Sequence, residues 1–229
     1  VSEIEPVSAP PDGPVWAIVV AAGRGERFGA AKQYAPLAGR RVLDWSVAAA
    51  RTVAAGVVLV VAADRAGVPE PAVDAVVAGG ATRSDSVRAG LAAVPAEAEV
   101  VLVHDAARPL AAPGLFAAVL AAVRAGADAA VPGVALVDTV RRRDGGAVDR
   151  GSLVAVQTPQ GFRAQSLRAA HTARPEATDD ATLVEAAGGR VVVVDGDPRN
   201  RKLTDPTDLA VAELLLGAIA AGPEPEDQG

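Results

Sequence analysis

The chain has 229 residues, half of them apolar, with a formal net charge of −6. That length supplies one well-covered core, and the acidic balance argues against a protein whose main partner is a nucleic-acid backbone, which is bound through excess positive charge. The absence of cysteine excludes disulfides, zinc–thiolate sites and cysteine nucleophiles, and His104 and His171 are too few for an all-histidine metal site.

Residues 1–14 are acidic and proline-rich, with neither a basic start nor an apolar centre, so they read as a flexible tail rather than a secretory signal. The apolar run from Val15 to Val20 ends in Ala21-Ala22-Gly23 and reads as a buried strand entering a glycine-rich loop. A helix is expected over Val42–Ala55, then strands over Val57–Ala62, Ala75–Ala78 and Val100–Val103, the last stopping at His104-Asp105. Further helices fit Arg83–Val94 and Pro113–Ala125, and a strand follows over Ala129–Val134. Strands alternating with helices imply an α/β fold, a Rossmann-like and mainly parallel sheet with helices on both faces.

Two extended segments, Leu136–Arg143 and Ala147–Val156, flank Asp144-Gly145-Gly146, a sequence that favours a tight reversal. A projecting β-hairpin arm is therefore expected at about 136–156. Helices near Ala164–Ala170 and Asp180–Ala187, a strand over Arg190–Val194 and a helix over Pro206–Ala220 complete the domain. The last helix has a clear start, with Asp205 as N-cap, Pro206 at the first helical position and Asp208 in the first turn. One domain over 15–221 is expected, followed by a flexible acidic tail at 222–229. The longest apolar run, Val53–Ala63, is too short to span a bilayer, and a soluble, cytoplasmic protein without a membrane partner is expected.

The loop at residues 21–34, AAGRGERFGAAKQY, invites comparison with two phosphate-binding motifs and fits neither. A dinucleotide loop needs Gly-x-Gly-x-x-Gly opening directly into a helix, whereas the gap from Gly25 to Gly29 is one residue longer and Pro36 and Gly39 interrupt any helix. A nucleoside-triphosphatase loop needs glycine before the lysine and Ser or Thr after it, but Lys32 lies between Ala31 and Gln33. What remains is a long loop whose glycines admit backbone N–H groups to an oxyanion, with Arg27 and Lys32 nearby. Taken alone, such a loop is more often a solvated turn with two surface cations. Of 22 basic residues only Lys32 and Lys202 are lysines, and both fall in loops beside strand ends, where an ammonium can meet a phosphate as a point charge. Coding bias is the plainer explanation of that scarcity.

Several further segments recur in order: GGATRSDSV at 79–87, VLVHDAARP at 101–109, VDTV at 137–140, VDR at 148–150, QTPQ at 157–160, TDDA at 178–181 and RKLT at 201–204. With the glycine loop they resemble the CDP-alcohol-forming nucleotidyltransferases, above all the 2-C-methyl-D-erythritol 4-phosphate cytidylyltransferases of the non-mevalonate isoprenoid route. The resemblance covers nearly everything but the two tails. It implies that Ala21, Ala22, Gly23, Gly25, Gly80, Ser86 and Ala106 bind the nucleotide, and that Asp105, Arg108, Thr139 and Thr158 face the acceptor. Asp105 would also meet Mg²⁺, brought mainly by the CTP phosphates. Arg27 and Lys32 would stabilise the reacting phosphates, while Arg150 and Lys202 would position the acceptor.

The same resemblance implies a homodimer in which the arm carries Arg150 to the neighbouring subunit's site. Plainer readings stand beside these: Thr82 and Asp85 as a helix cap, His104 as a packed strand-end residue rather than a base, Thr178 and Asp179 as a cap, and Arg141–Arg143 as a solvated charge run. Ala31 departs from the family's usual proline, and Ala81 from a frequent carboxylate. A ribitol-5-phosphate cytidylyltransferase, or a non-catalytic nucleotide-binding protein on the same fold, would share much of this pattern.

Overall fold

The computed structural model describes residues 11–221 apart from 24, 26, 27 and 30. The expectation for Arg27, and those for residues 1–10 and 222–229, therefore lie outside the described residues.

Strand β1 (Val15–Ala21) is apolar at both parities, and successive strand side chains point to opposite faces. Such a strand must be covered twice. Val15, Ala17, Val19 and Ala21 pack with Leu43 and Val47 of α1 (Val42–Arg51) and with Phe116 and Val119 of α3 (Pro113–Arg124). Ile18 packs on the other face with Val87 of α2 (Arg83–Ala93), Leu167 of α4 (Ala164–His171) and Val184 of α5 (Asp180–Ala186). Each fully buried Val or Leu contributes about 1.5–3 kcal/mol relative to exposure, so these faces explain why the continuous apolar runs become central strands.

β1 pairs in parallel with β4 (Gly56–Val61) and β6 (Val100–Asp105), and β4 pairs in parallel with β5 (Ala75–Ala78). The register aligns Ala21 with Val61, Val61 with Ala78 and Val20 with Asp105. All four strands consequently end at one sheet edge, the edge at which open α/β folds bind ligands. Beyond β6 the sheet becomes mixed. β11 (Gln160–Arg163) runs antiparallel to both β6 and β7 (Ala129–Ala135), β10 (Val154–Val156) is antiparallel to β7, and β12 (Val191–Asp195) is parallel to it.

Three sequence expectations are corrected. The first helix stops at Arg51, short of Ala55, and β4 begins at Gly56. The arm is smaller than 136–156, because Val154–Val156 forms ladder hydrogen bonds with Gly133–Ala135 and so belongs to the main sheet. Within the arm, β8 (Val140–Arg142) pairs with β9 (Gly145–Val148); the chain reverses at Arg143-Asp144, while Gly145 and Gly146 lie in the bulged strand with φ of 121° and 72°. Finally, β11 is a strand where the sequence reading places no element; a four-residue strand with Gly161 inside it has little periodicity to show.

The C-terminal helix α6 (Pro206–Ala221) starts as expected: Asp205 Oδ1 accepts from the Thr207 and Asp208 amides at 2.8 and 3.2 Å. Leu203 and Ala212 pack with Leu110, with Val42, and with Leu37 of β2 (Pro36–Leu37), which pairs with β3 (Arg40–Arg41). This small cluster draws the segment containing Lys202 towards the end of the glycine loop. At the other terminus, the Asp12 and Gly13 amides donate to Glu99 Oε2 at 2.9 and 2.8 Å, although composition groups them with the tail. Among the described residues no helix is long and apolar enough to cross a membrane.

Candidate active site

The glycine loop leaves β1 at Ala21 and is tied back by a residue not singled out in the sequence. Buried Gln33 donates through Nε2 to the carbonyls of Ala21 at 2.7 Å and Gly23 at 3.0 Å. Gly25 and Gly29 adopt φ of 66° and 78°, which glycine tolerates without penalty, and a short 3₁₀ turn begins at Lys32. Ala31 has φ −71°, close to the angle at which proline is locked.

Facing the loop is the N-terminus of α2. Thr82 is its N-cap and accepts from the Asp85 amide, as expected. The Gly80 amide donates to Ser86 Oγ at 3.2 Å, and Ser86 Oγ donates to the Thr82 carbonyl. A Cβ on Gly79 would lie 2.5 Å from Ala22 Cβ, so glycine is needed where α2 meets the loop. Between them lies a cavity of about 730 Å³ lined by Ala22, Gly23, Gln33, Tyr34, Asp64 and Ala81, among others. Arg65 also lines it and stacks over the Tyr34 ring at 4.3 Å. Volume, glycine backbone and an aromatic wall suit a nucleotide.

On the other side of the site, Asp105 ends β6. Its carboxylate meets Lys202 Nζ at 2.6 Å and Arg83 Nε at 3.5 Å. Burial alone would push its pKa up; the charges of Lys202 and Arg83 more than offset this and hold it well below the usual carboxylate range. Among the described residues no group of three His, Asp or Glu side chains could form a metal cage, which leaves Asp105 as a single carboxylate that could meet a nucleotide-borne cation.

His104 is wholly buried and its pKa is lowered to about 4 by that burial. It is neutral at pH 7, and its contacts fit a single tautomer: Nε2–H faces the Arg108 carbonyl at 3.3 Å, while Nδ1 accepts from Thr158 Oγ1 at 3.1 Å. Thr158 Oγ1 in turn accepts from the Asp105 amide at 3.0 Å. His104 is thus the packed strand-end residue expected, and Thr158 aligns the Asp105 backbone. The Ala106 amide donates to the Val20 carbonyl, and its carbonyl accepts from Ser46 Oγ.

Arg108 donates to the Asn200 carbonyl at 2.8 Å and faces the Val156 carbonyl at 3.4 Å. Asn200 and Gln157, neither predicted as a site residue, lock the 157–158 and 197–202 segments together: Asn200 Nδ2 donates to the Thr158 carbonyl at 2.9 Å and Gln157 Nε2 to the Asp197 carbonyl at 2.8 Å. Gln157 lies inside QTPQ and Asn200 directly before RKLT, so the motifs marked the neighbourhood without marking these residues.

Lys32 reaches the segment that carries the other lysine. Lys32 Nζ donates to the Leu203 carbonyl at 2.5 Å, and Lys202 precedes that residue. Ala22, Gly23 and Gly80 line the cavity, with Ala21 bonded to Gln33 and Ser86 to Gly80 beside them, whereas Thr158, Lys202 and the charge of Arg108 gather around Asp105. Thr139 and Arg150 are different: both are exposed on the arm, and Arg150 Nη1 donates to the Val137 carbonyl within it.

A mixed α/β sheet whose parallel strands end in a glycine loop, a capped helix N-terminus and a lysine–aspartate cluster has the arrangement of a nucleotide-binding α/β enzyme. The family model described as 2-C-methyl-D-erythritol 4-phosphate cytidylyltransferase matches residues 15–218. A curated enzyme of that name from Nocardia farcinica is 47% identical over 226 residues, covering 92% of this chain and 97% of its own. One from Cereibacter sphaeroides is 48% identical over 224 residues, covering 90% and 98%. The crystal structure of the Thermus thermophilus enzyme superposes with a TM-score of 0.77 at 38% identity, covering 90% of this chain and all of that one. The chain belongs to the 2-C-methyl-D-erythritol 4-phosphate cytidylyltransferase family and is a cytidylyltransferase.

Proposed function

We propose that this chain transfers CMP from CTP to the phosphate of 2-C-methyl-D-erythritol 4-phosphate, yielding 4-diphosphocytidyl-2-C-methyl-D-erythritol and pyrophosphate in the cytoplasm. An acceptor phosphate oxygen attacks the α-phosphorus in line. The new P–O bond forms as the bond to the bridging α–β oxygen breaks, and pyrophosphate leaves with that electron pair. No general base is required, because a phosphate dianion is already nucleophilic near neutral pH. This agrees with the burial and neutrality of His104.

The single observation that supports this reading most is the convergence of the two lysines at one sheet edge, through Lys32 with Leu203 and Lys202 with Asp105. Two anions must be brought together there. Lys32 and Arg27 offset charge on the triphosphate, and Lys202 and Arg108 hold the acceptor phosphate, supplying orientation. The cytosine and ribose occupy the cavity beside Gly79, Gly80 and Ser86. A divalent cation, proposed as Mg²⁺, would supply charge neutralisation at the phosphates, and Asp105 is the carboxylate that would meet it.

We further propose a homodimer in which Arg150 and Thr139 complete the partner's acceptor site. The arm and the outer strands expose Val137, Leu153, Val154, Val156 and Val193, and exposed apolar surface, where it is contiguous, marks an interface. Val154 and Val193 both flank Gly133, within 3 Å of where its Cβ would stand. The domain proper is taken as 15–221. Pyrophosphate release from CTP with methylerythritol phosphate, with ribitol 5-phosphate and with no acceptor tests the reading: only the first is expected to support rapid release.

A further inference from the structure

Asp105 stands at the centre of the acceptor side, yet its second charged neighbour has no role in any reading of the sequence. Arg83, the first residue of α2, reaches Asp105 Oδ1 with Nε at 3.5 Å and Asp180 Oδ2 with Nη1 at 2.7 Å. The shorter contact is the anchor. Asp180 is fully buried in the first turn of α5, and its other oxygen accepts from His171 Nε2 at 3.0 Å. A continuous polar chain, Lys202–Asp105–Arg83–Asp180–His171, therefore runs from the acceptor side of the site through α2 into the layer formed by α4 and α5.

The surroundings make that chain rigid. Residues 175–177 are fastened across the first turns of α2: Thr82 Oγ1 to Glu176 at 3.0 Å, Arg88 to the Pro175 carbonyl at 2.9 Å, and the Ala177 amide to Ser84 Oγ at 3.4 Å. Burial works against charge on Arg83, but the two carboxylates outweigh it and raise its pKa, so the guanidinium stays charged. Its planar fork is suited to bridging two carboxylates in one orientation. Without such a brace, Asp105 would be oriented on this side by Lys202 alone, the group that the acceptor phosphate must engage.

We propose that Arg83 is a positioning residue: clamped by the buried Asp180–His171 pair, it fixes the Asp105 carboxylate and through it sets where Lys202 Nζ stands for the acceptor phosphate. The consequence for catalysis rests on the CMP-transfer reading above. The α2 N-terminus thereby serves both substrates, with Gly80 and Ser86 towards the nucleotide and Arg83 towards the acceptor.

The test uses the full chain with Arg83→Gln and Asp180→Asn, alone and in an Asp105→Asn background. Each single variant is expected to lower kcat/KM for the acceptor by about tenfold or more, while the dissociation constant for CTP alone stays within about twofold. In the Asp105→Asn background the Arg83 and Asp180 changes should add little, because residues acting through one group are non-additive. Equal losses for CTP and acceptor, or full additivity, would overturn the proposal. Asp180→Asn preserves shape and covers the case in which Arg83→Gln does not fold. A crystal structure of unliganded Asp180→Asn gives a readout independent of turnover. Displacement of Asp105 and Lys202 is expected, and an unchanged Asp105–Lys202 contact would reject the positioning role even if the wild-type protein proved inactive with this acceptor. Wild-type inactivity would itself reject the CMP-transfer reading.

Discussion

The Nζ of Lys32 lies 2.5 Å from the carbonyl oxygen of Leu203, so the glycine loop is fastened directly to the segment that presents Lys202. The contact spans 171 positions of sequence. Replacing Lys32 with alanine removes this tether together with the charge proposed to act on the reacting phosphates. The expected loss in kcat is ~10²-fold or more, the scale for removing one preorganised donor to a transition-state oxyanion. Steady-state pyrophosphate release measures it, and near-normal turnover would mean that Lys32 is only a structural link.

Arg150 is exposed on the arm and donates to the Val137 carbonyl there. If it serves the partner's site, Lys32→Ala and Arg150→Ala proteins, each inactive alone, should complement after co-refolding at equal amounts. Half of the dimers would be mixed, each with one intact site, so recovery should approach about a quarter of the native rate. No recovery would assign both residues to the same subunit's site.

Gly80 packs so closely on α2 that a Cβ there would stand 2.2 Å from Asp85 Cβ and 3.3 Å from its backbone carbon. Gly80→Ala must push the helix N-terminus away from the cavity. A stability loss of about 1–3 kcal/mol is expected from such overpacking, accompanied by weaker CTP binding in calorimetry. Unchanged CTP affinity would remove the α2 terminus from the nucleotide site.

The layered sheet was legible in the sequence because its central strands are continuous apolar runs and three of its helices have ordinary caps, at Thr82, Asp179 and Asp205. The candidate site shows in the sequence as motifs, and the fold joins Asp105 to Thr158 and Lys202, and Lys32 to Leu203. What escaped were residues whose role depends on distant partners. Arg83 reaches Asp180 across 97 positions, Gln157 and Asn200 bond across 43, and β11 is a strand only because β6 and β7 receive it. Composition and spacing are local, whereas these contacts are made by the fold. The arm was overextended for the same reason: Val154–Val156 is extended in either setting, and its pairing with β7 decides which sheet it joins.

His104 provides a pH signature. Its folded pKa is about 4, against 6.5 for the free side chain, because burial disfavours the charged ring. An unfolded chain binds that proton near pH 6.5 and the folded chain resists it, so stability is complete above that pH and falls between about 6.5 and 4. The contribution amounts to about 3 kcal/mol at most. Urea melts of wild type and His104→Gln across this range measure it, with a shallower slope expected for the variant. Parallel slopes would show that His104 is not held neutral.

The central claim is transfer of CMP from CTP onto the acceptor's phosphate oxygen. Phosphorus-31 NMR of the protein with CTP, Mg²⁺ and 2-C-methyl-D-erythritol 4-phosphate tests it most directly. The account predicts loss of the acceptor monophosphate signal, matched by a pair of coupled diphosphate doublets and an equal amount of pyrophosphate, with no reaction when the acceptor is omitted. Formation of CMP and pyrophosphate without the acceptor, or a diphosphate product only when ribitol 5-phosphate is supplied instead, would contradict it.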